Sequence, residues 1–200
     1  MTKIVISTIC AIALSSTMLS ANEVKTSKKE IKMEAKAAIM KMGKTLKMNM
    51  KKSMKKGGVV GAAKFCTNKA GVLAAKVNNS YPKGTTVKRI TLKPRNPKNM
   101  ATGEDKVMLE KFEAMVKEGK ALPKMKIVEV SKGHYKVYKP FKMGKACVKC
   151  HGKVNKMNKK AYAIIKKQYP NDKAIGYKKG DFRGAFVAEI IKEEKPNTTK

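Results

Sequence analysis

The chain has no tryptophan and only 14 acidic residues against 47 lysines and arginines, giving a formal net charge of +33 over 200 residues. Its arginines are just three, Arg89, Arg95 and Arg183, far apart in sequence. Arginine clusters interleaved with aromatics, the pattern suited to nucleic acid, are therefore missing. The lysine excess reads as a solvated coat. It should favour an acidic partner protein or an anionic membrane surface, with salt-dependent association, rather than DNA or RNA. Long apolar runs are also missing. The longest, residues 4–19, spans about 16 residues and falls short of the ~20 that a spanning helix needs.

That run has another use. Met1-Thr2-Lys3 is a short positive region, and Ser20-Ala21 supplies small residues before the polar Asn22-Glu23. This is the layout of a secretory signal, with cleavage expected near Ala21 and a periplasmic mature chain. A retained anchor is the alternative that its length disfavours. Ile9 directly before Cys10 is the wrong residue type for a lipoprotein site. Cys10 leaves with the signal, so Cys66, Cys147 and Cys150 remain. An odd number in an oxidising compartment calls for an explanation.

Past residues 1–21, segment 22–56 is rich in Lys, Met and Ala. Ile31, Ala35, Ala38, Met42, Leu46, Met50 and Met54 fall at steps of three and four and predict one buried helical face. Thioethers suit Cu(I), but these methionines occupy core positions, so packing is the better reading. Gly57-Gly58 should end this helix. A second helix is expected over 59–77, with Val59, Ala62, Cys66, Ala70, Leu73 and Val77 inward. A strand over 85–92, a loop at Pro94–Pro97 and a helix over 104–117 follow. A hairpin of strands 125–130 and 135–140 comes next, then a helix over 159–168 and a last strand over 182–190. Residues 193–200 read as a polar, frayed tail. Helices early and antiparallel strands late predict an α+β domain over 57–192.

One stretch carries chemistry: "ACVKCHG" at 146–152. Cys147-x-x-Cys150-His151 is the attachment signature of a c-type haem. Two thiols at this spacing add across the two vinyl groups, and the imidazole that follows reaches the iron from the same side. A thioredoxin-like dithiol would follow a strand in a βαβ pattern, which is missing. A zinc site would have only Cys66 and His134 to complete it. The signature occurs once, so one covalent haem is expected. His151 is the proximal ligand, and the candidates opposite it are Cys66, His134, Met143 and Met157. The odd cysteine count and the small neighbours Ala62, Ala63 and Ala70 point toward Cys66.

The stretches "AAKFCTNKA", "RNPKN", "YKPF", "CVKCHG", "YPNDKAIGY" and "GDFRGAFV" occur in that order between about residues 58 and 190. In this the chain resembles the single-haem, PAS-like c-type cytochrome domain family first described in cyanobacteria. The resemblance implies a PAS-like antiparallel sheet with long N-terminal helices packed on it. It also implies iron held by the motif histidine, here His151, and by a cysteine thiolate, here Cys66. The chain departs from the family in its heavy Lys and Met content, and in Thr102-Gly103-Glu104 where an aromatic is usual.

Two functions follow as expectations. An exported haem protein with a charge-donating thiolate suits low-potential electron transfer. The alternative is a redox or gas (CO/NO) sensor that signals through a partner, since PAS-like domains often sense. No acid–base pair lies beside the motif, so a non-catalytic role is expected.

Overall fold

The computed structural model describes residues 27–192. The expected signal sequence, its expected cleavage site near Ala21 and the tail at 193–200 lie outside the described residues. Ser27 opens helix α1 (Lys28–Asn68) with a reciprocal cap: its hydroxyl accepts from the Glu30 N–H at 3.2 Å, and the Glu30 carboxylate accepts from the Ser27 N–H at 2.8 Å. The break expected at Gly57-Gly58 is there. Gly57 (φ −138°, ψ 25°) and Gly58 (φ 57°, ψ −154°) leave helical geometry, and the chain turns back on itself. The two limbs come so close that a Cβ on Gly61 would lie 2.6 Å from the Ser53 carbonyl oxygen. The return limb is interrupted at Lys69 (φ −116°) before continuing as α2 (Ala70–Asn78). The unbroken helix expected over 59–77 is thus two pieces.

Strands β1 (Thr85–Ile90), β2 (Lys126–Ser131), β3 (His134–Lys142) and β4 (Phe182–Ile191) form one antiparallel sheet in the order β1-β4-β3-β2. The α+β class holds. The helical hairpin covers one face, where Ile31, Ala35, Ala38, Ile39, Met42 and Leu46 pack with Phe65, Val77, Val87, Val137, Ala188 and Ile190. Most of the expected inward stripe is buried, Met50 and Met54 only half so. Met33, Met40 and Met48 are more than half exposed, on the lysine side of the helix. Helix α3 (Gly103–Lys117) covers the opposite face, where Leu109 and Phe112 meet Tyr138, Phe182 and Val187. Among the described residues, no helix is long and apolar enough to cross a membrane.

Asp105, in the first turn of α3, ties that helix to the sheet. It accepts from the Tyr138 hydroxyl at 2.7 Å and pairs with Lys88 at 3.0 Å and Lys136 at 3.2 Å. Burial works to raise its carboxyl. The hydrogen bonds from Tyr138, Lys88 and Lys136 outweigh that and hold it below the ordinary value of 3.8. A depressed carboxyl stabilises the fold above its unfolded value, and the contribution fades as pH falls through the folded one. Asp105→Ala should cost about 3 kcal/mol in urea unfolding at pH 7. The gap from wild type should close below pH 3.8. An equal gap at pH 7 and at strongly acidic pH would show that the carboxylate charge is not what matters.

Candidate functional site

The "ACVKCHG" stretch follows β3. Met143 is held between the loop strands, its N–H donating to Asp181 O at 2.8 Å and its carbonyl accepting from Gly180 N at 2.9 Å. The motif then forms a single helical turn, α4 (Val148–His151). The Cys150 and His151 N–H groups donate to the Cys147 carbonyl at 3.1 and 3.0 Å. A Cβ on Gly152 would meet the Val148 carbonyl oxygen at 2.6 Å, so the residue after His151 has no room for a side chain. Cys147 is an exposed free thiol and Cys150 a half-buried one. Cys150 packs beside Val59, Val60 and Ala63 of α1 and Ala161, Ile164 and Ile165 of α5 (Lys159–Gln168).

The imidazole of His151 is fixed through its Nδ1, which lies 2.7 Å from the Ala174 carbonyl oxygen. A carbonyl only accepts, so Nδ1 carries the proton and Nε2 is left with its lone pair. Burial, with Arg95 and Arg183 nearby, pushes the ring pKa down to about 3, against a smaller opposing effect of the Ala174 bond. His151 is therefore neutral across the ordinary pH range, the form that binds a metal.

The Ala174 carbonyl is itself held. Arg95 Nε pairs with Asp172 Oδ2 at 2.9 Å, and its Nη2 donates to the carbonyls of Cys150 at 2.5 Å and Ala174 at 3.4 Å. Asp172 Oδ1 accepts from the Ala174 N–H at 2.8 Å. Both side chains are nearly sealed off, at 10% and 1% exposure. The loop is pinned further by Tyr177 N–H to His151 O at 2.9 Å and Gly176 N–H to Gly152 O at 2.8 Å. Tyr177 meets the His151 ring edge-on, and both Lys93 and Arg183 stack over it.

Cys66 requires a correction. Its helical neighbours Ala62 and Ala70 are buried as expected, and Ala63 and Phe65 are buried too, but Cys66 itself is exposed. The 3.6-residue period placed it on the inward face, but the break at Lys69 and the overlying motif leave that part of the face looking into a cleft. The sulfur nonetheless lies deep among protein atoms. Burial pushes its thiol up, Arg89 and Arg95 pull it down, and Cys150 pushes it up again. Cys66 is accessible and lies within electrostatic reach of Cys150. The three arginines, far apart in sequence, also converge here: all three act on the His151 ring.

The other candidates lie elsewhere. His134 starts β3 and pairs with Glu189 at 2.8 Å. It sits eight residues, or about 27 Å, from the Lys142 end of the strand that leads to the motif. Met143 is buried with Ala174 and Tyr177, behind the His151 ring. Met157 is buried as well. No three His, Cys, Asp or Glu among the described residues converge to hold a metal ion, so the zinc alternative lacks a ligand set.

The family model described as Tll0287-like matches residues 20–190. The chain belongs to the Tll0287-like family. Its fold is that of the crystal structure of the cyanobacterial heme-protein Tll0287, with a TM-score of 0.62 at 21% identity over 84% of this chain and 99% of that one. No curated protein matches it. The residues present suit a haem. A neutral imidazole offers Nε2, two unpaired thiols stand at the attachment spacing, and a third sulfur is accessible across the cleft. Arg95, Asp172 and Ala174, which orient His151, were not singled out from sequence. Their signal was present in "RNPKN" and "YPNDKAIGY", but nothing local showed that these stretches meet.

Proposed function

We propose that the protein is an exported, periplasmic mono-haem c-type cytochrome that carries single electrons at low potential, with His151 and Cys66 as axial ligands. The observation that carries this reading is the His151 imidazole, locked by the Ala174 carbonyl into the tautomer that presents Nε2, directly after two free thiols. Each thiol adds across one vinyl group, sulfur to one carbon and hydrogen to the other, so the haem c is covalent. A bound haem supplies reversible Fe(III)/Fe(II) exchange. The chain's own residues do the rest: Arg95 and Asp172 keep the imidazole aligned, and Cys66 offers a thiolate that favours Fe(III). The lysine coat suits docking to an acidic redox partner or an anionic membrane surface.

Denaturing gels stained for haem peroxidase activity should show a band near the mature mass. Cys147→Ala with Cys150→Ala should remove it without removing the protein from an ordinary protein stain. A haem band that persists in the double variant would exclude covalent attachment at this motif. The accessibility of Cys66 favours gas or redox sensing as the second reading, because a sulfur open to the cleft can be displaced by a small ligand.

A further inference from the structure

We infer that Arg89 anchors a haem propionate at the edge of the cleft. This rests on the haem reading above. The three arginines at the site are not equivalent. Arg95 is paired with Asp172. Arg183 donates to Thr91 Oγ1 at 2.5 Å and to the Lys93 carbonyl at 3.4 Å, and stacks on Tyr177. Arg89 makes no hydrogen bond or ion pair among the described residues.

Strand alternation says where it points. Thr85, Val87 and Arg89 share one face of β1. Thr85 donates to Glu34 of α1 at 2.5 Å, and Val87 packs among the α1 core residues, so this face looks at the helical hairpin. The register partner of Arg89 is Phe186, whose ring comes 3.6 Å from where a Cβ on Gly43 of α1 would stand. Arg89 thus enters the cleft from the sheet, on the side that carries Cys66. Its side chain is exposed and lies within electrostatic reach of the Cys66 thiol and the His151 ring.

An exposed guanidinium this near the iron ligands, with no ion pair of its own, is free to take an anionic group of the haem. Arginine keeps its charge there, and its planar fork matches a carboxylate two-pronged. No carboxylate among the described residues pairs with Arg89. A haem brings two, on an edge away from its iron.

The test is spectroscopy of the purified ferric holoprotein, with resonance Raman reading the propionate bending band and optical absorption reading the sulfur-to-iron charge-transfer band. Arg89→Gln should shift the propionate band and leave the haem stain and the charge-transfer band unchanged. Arg89→Lys should shift it less, and Lys117→Gln, a charge removed from the surface of α3, not at all. If Arg89→Gln does not accumulate, Arg89→Lys carries the same readout, since it keeps the charge and loses the fork. A propionate band unmoved by either variant overturns the inference. So does a shift confined to the charge-transfer band, which would place Arg89 against the Cys66 sulfur instead. Absence of haem from the wild-type protein is a separate result, and it would overturn the haem reading itself.

Discussion

Cys66→Ala should leave the proposed covalent haem in place, raise the reduction potential and open the iron to CO. Attachment should survive because, on the proposed reading, the thioether bonds would form at Cys147 and Cys150, on a different element. The potential rises because a charge-donating ligand is lost, and the change should be a substantial part of the ~0.8 V that axial ligands span. Because Cys66 already has exposed surface, its removal leaves no sealed core cavity. Thermal unfolding of the apo form should therefore change little, which separates a ligand role from a packing role. Cys66→Met should also raise the potential while tending to keep six ligands, since a thioether is neutral and favours Fe(II). His134→Ala is the control, at the far end of β3 and bound to Glu189. Should His134→Ala give the open, CO-binding spectrum and Cys66→Ala the wild-type one, the assignment of Cys66 is wrong.

Asp172→Ala should damage both the fold and the iron site. It leaves the almost sealed Arg95 guanidinium without its carboxylate and the Ala174 N–H without its acceptor. Removing one member of a buried pair costs about 3–5 kcal/mol. For a chain of this size that corresponds to a fall in melting temperature of about 10 °C. The carbonyl of Ala174 then loses its two-sided support, and with it His151 loses its fixed orientation. The ferric absorption spectrum should show a high-spin fraction absent from wild type. Asp172→Asn keeps an acceptor for the Ala174 N–H and loses the charge pair, so it should fall between. Wild-type melting and spectrum in Asp172→Ala would mean that the pair does not position the histidine.

Most of the secondary structure was legible because each element is written locally. The glycine pair at 57–58 marks the hairpin, α5 begins and ends where its pattern does, and the four strands alternate or carry β-branched runs. The attachment motif was legible for the same reason: Cys147, Cys150 and His151 are neighbours in sequence before they are neighbours in space. What periodicity could not report is which loops meet. Arg95 reads as a residue of a proline-bounded loop. Only the closed fold brings it to the Cys150 and Ala174 carbonyls and makes it part of the iron site. Cys66 shows the other limit. A helical stripe gives the direction of a side chain relative to its own helix, but not whether the neighbouring element fills the space in front of it or leaves a cleft.

The bonds that orient His151 also have a timing. Arg95 reaches 77 residues along the chain to Asp172 and 55 to Cys150, and Thr91 reaches 92 to Arg183. Contacts that close such long loops cost the most chain entropy and form late in folding. The turn carrying Cys147 and Cys150 is local and needs none of them. On the proposed reading, both thiols would be within reach of a haem in a newly made chain before the residues that align His151 have assembled around it. The expected order is attachment first and alignment second, with folding itself closing the site.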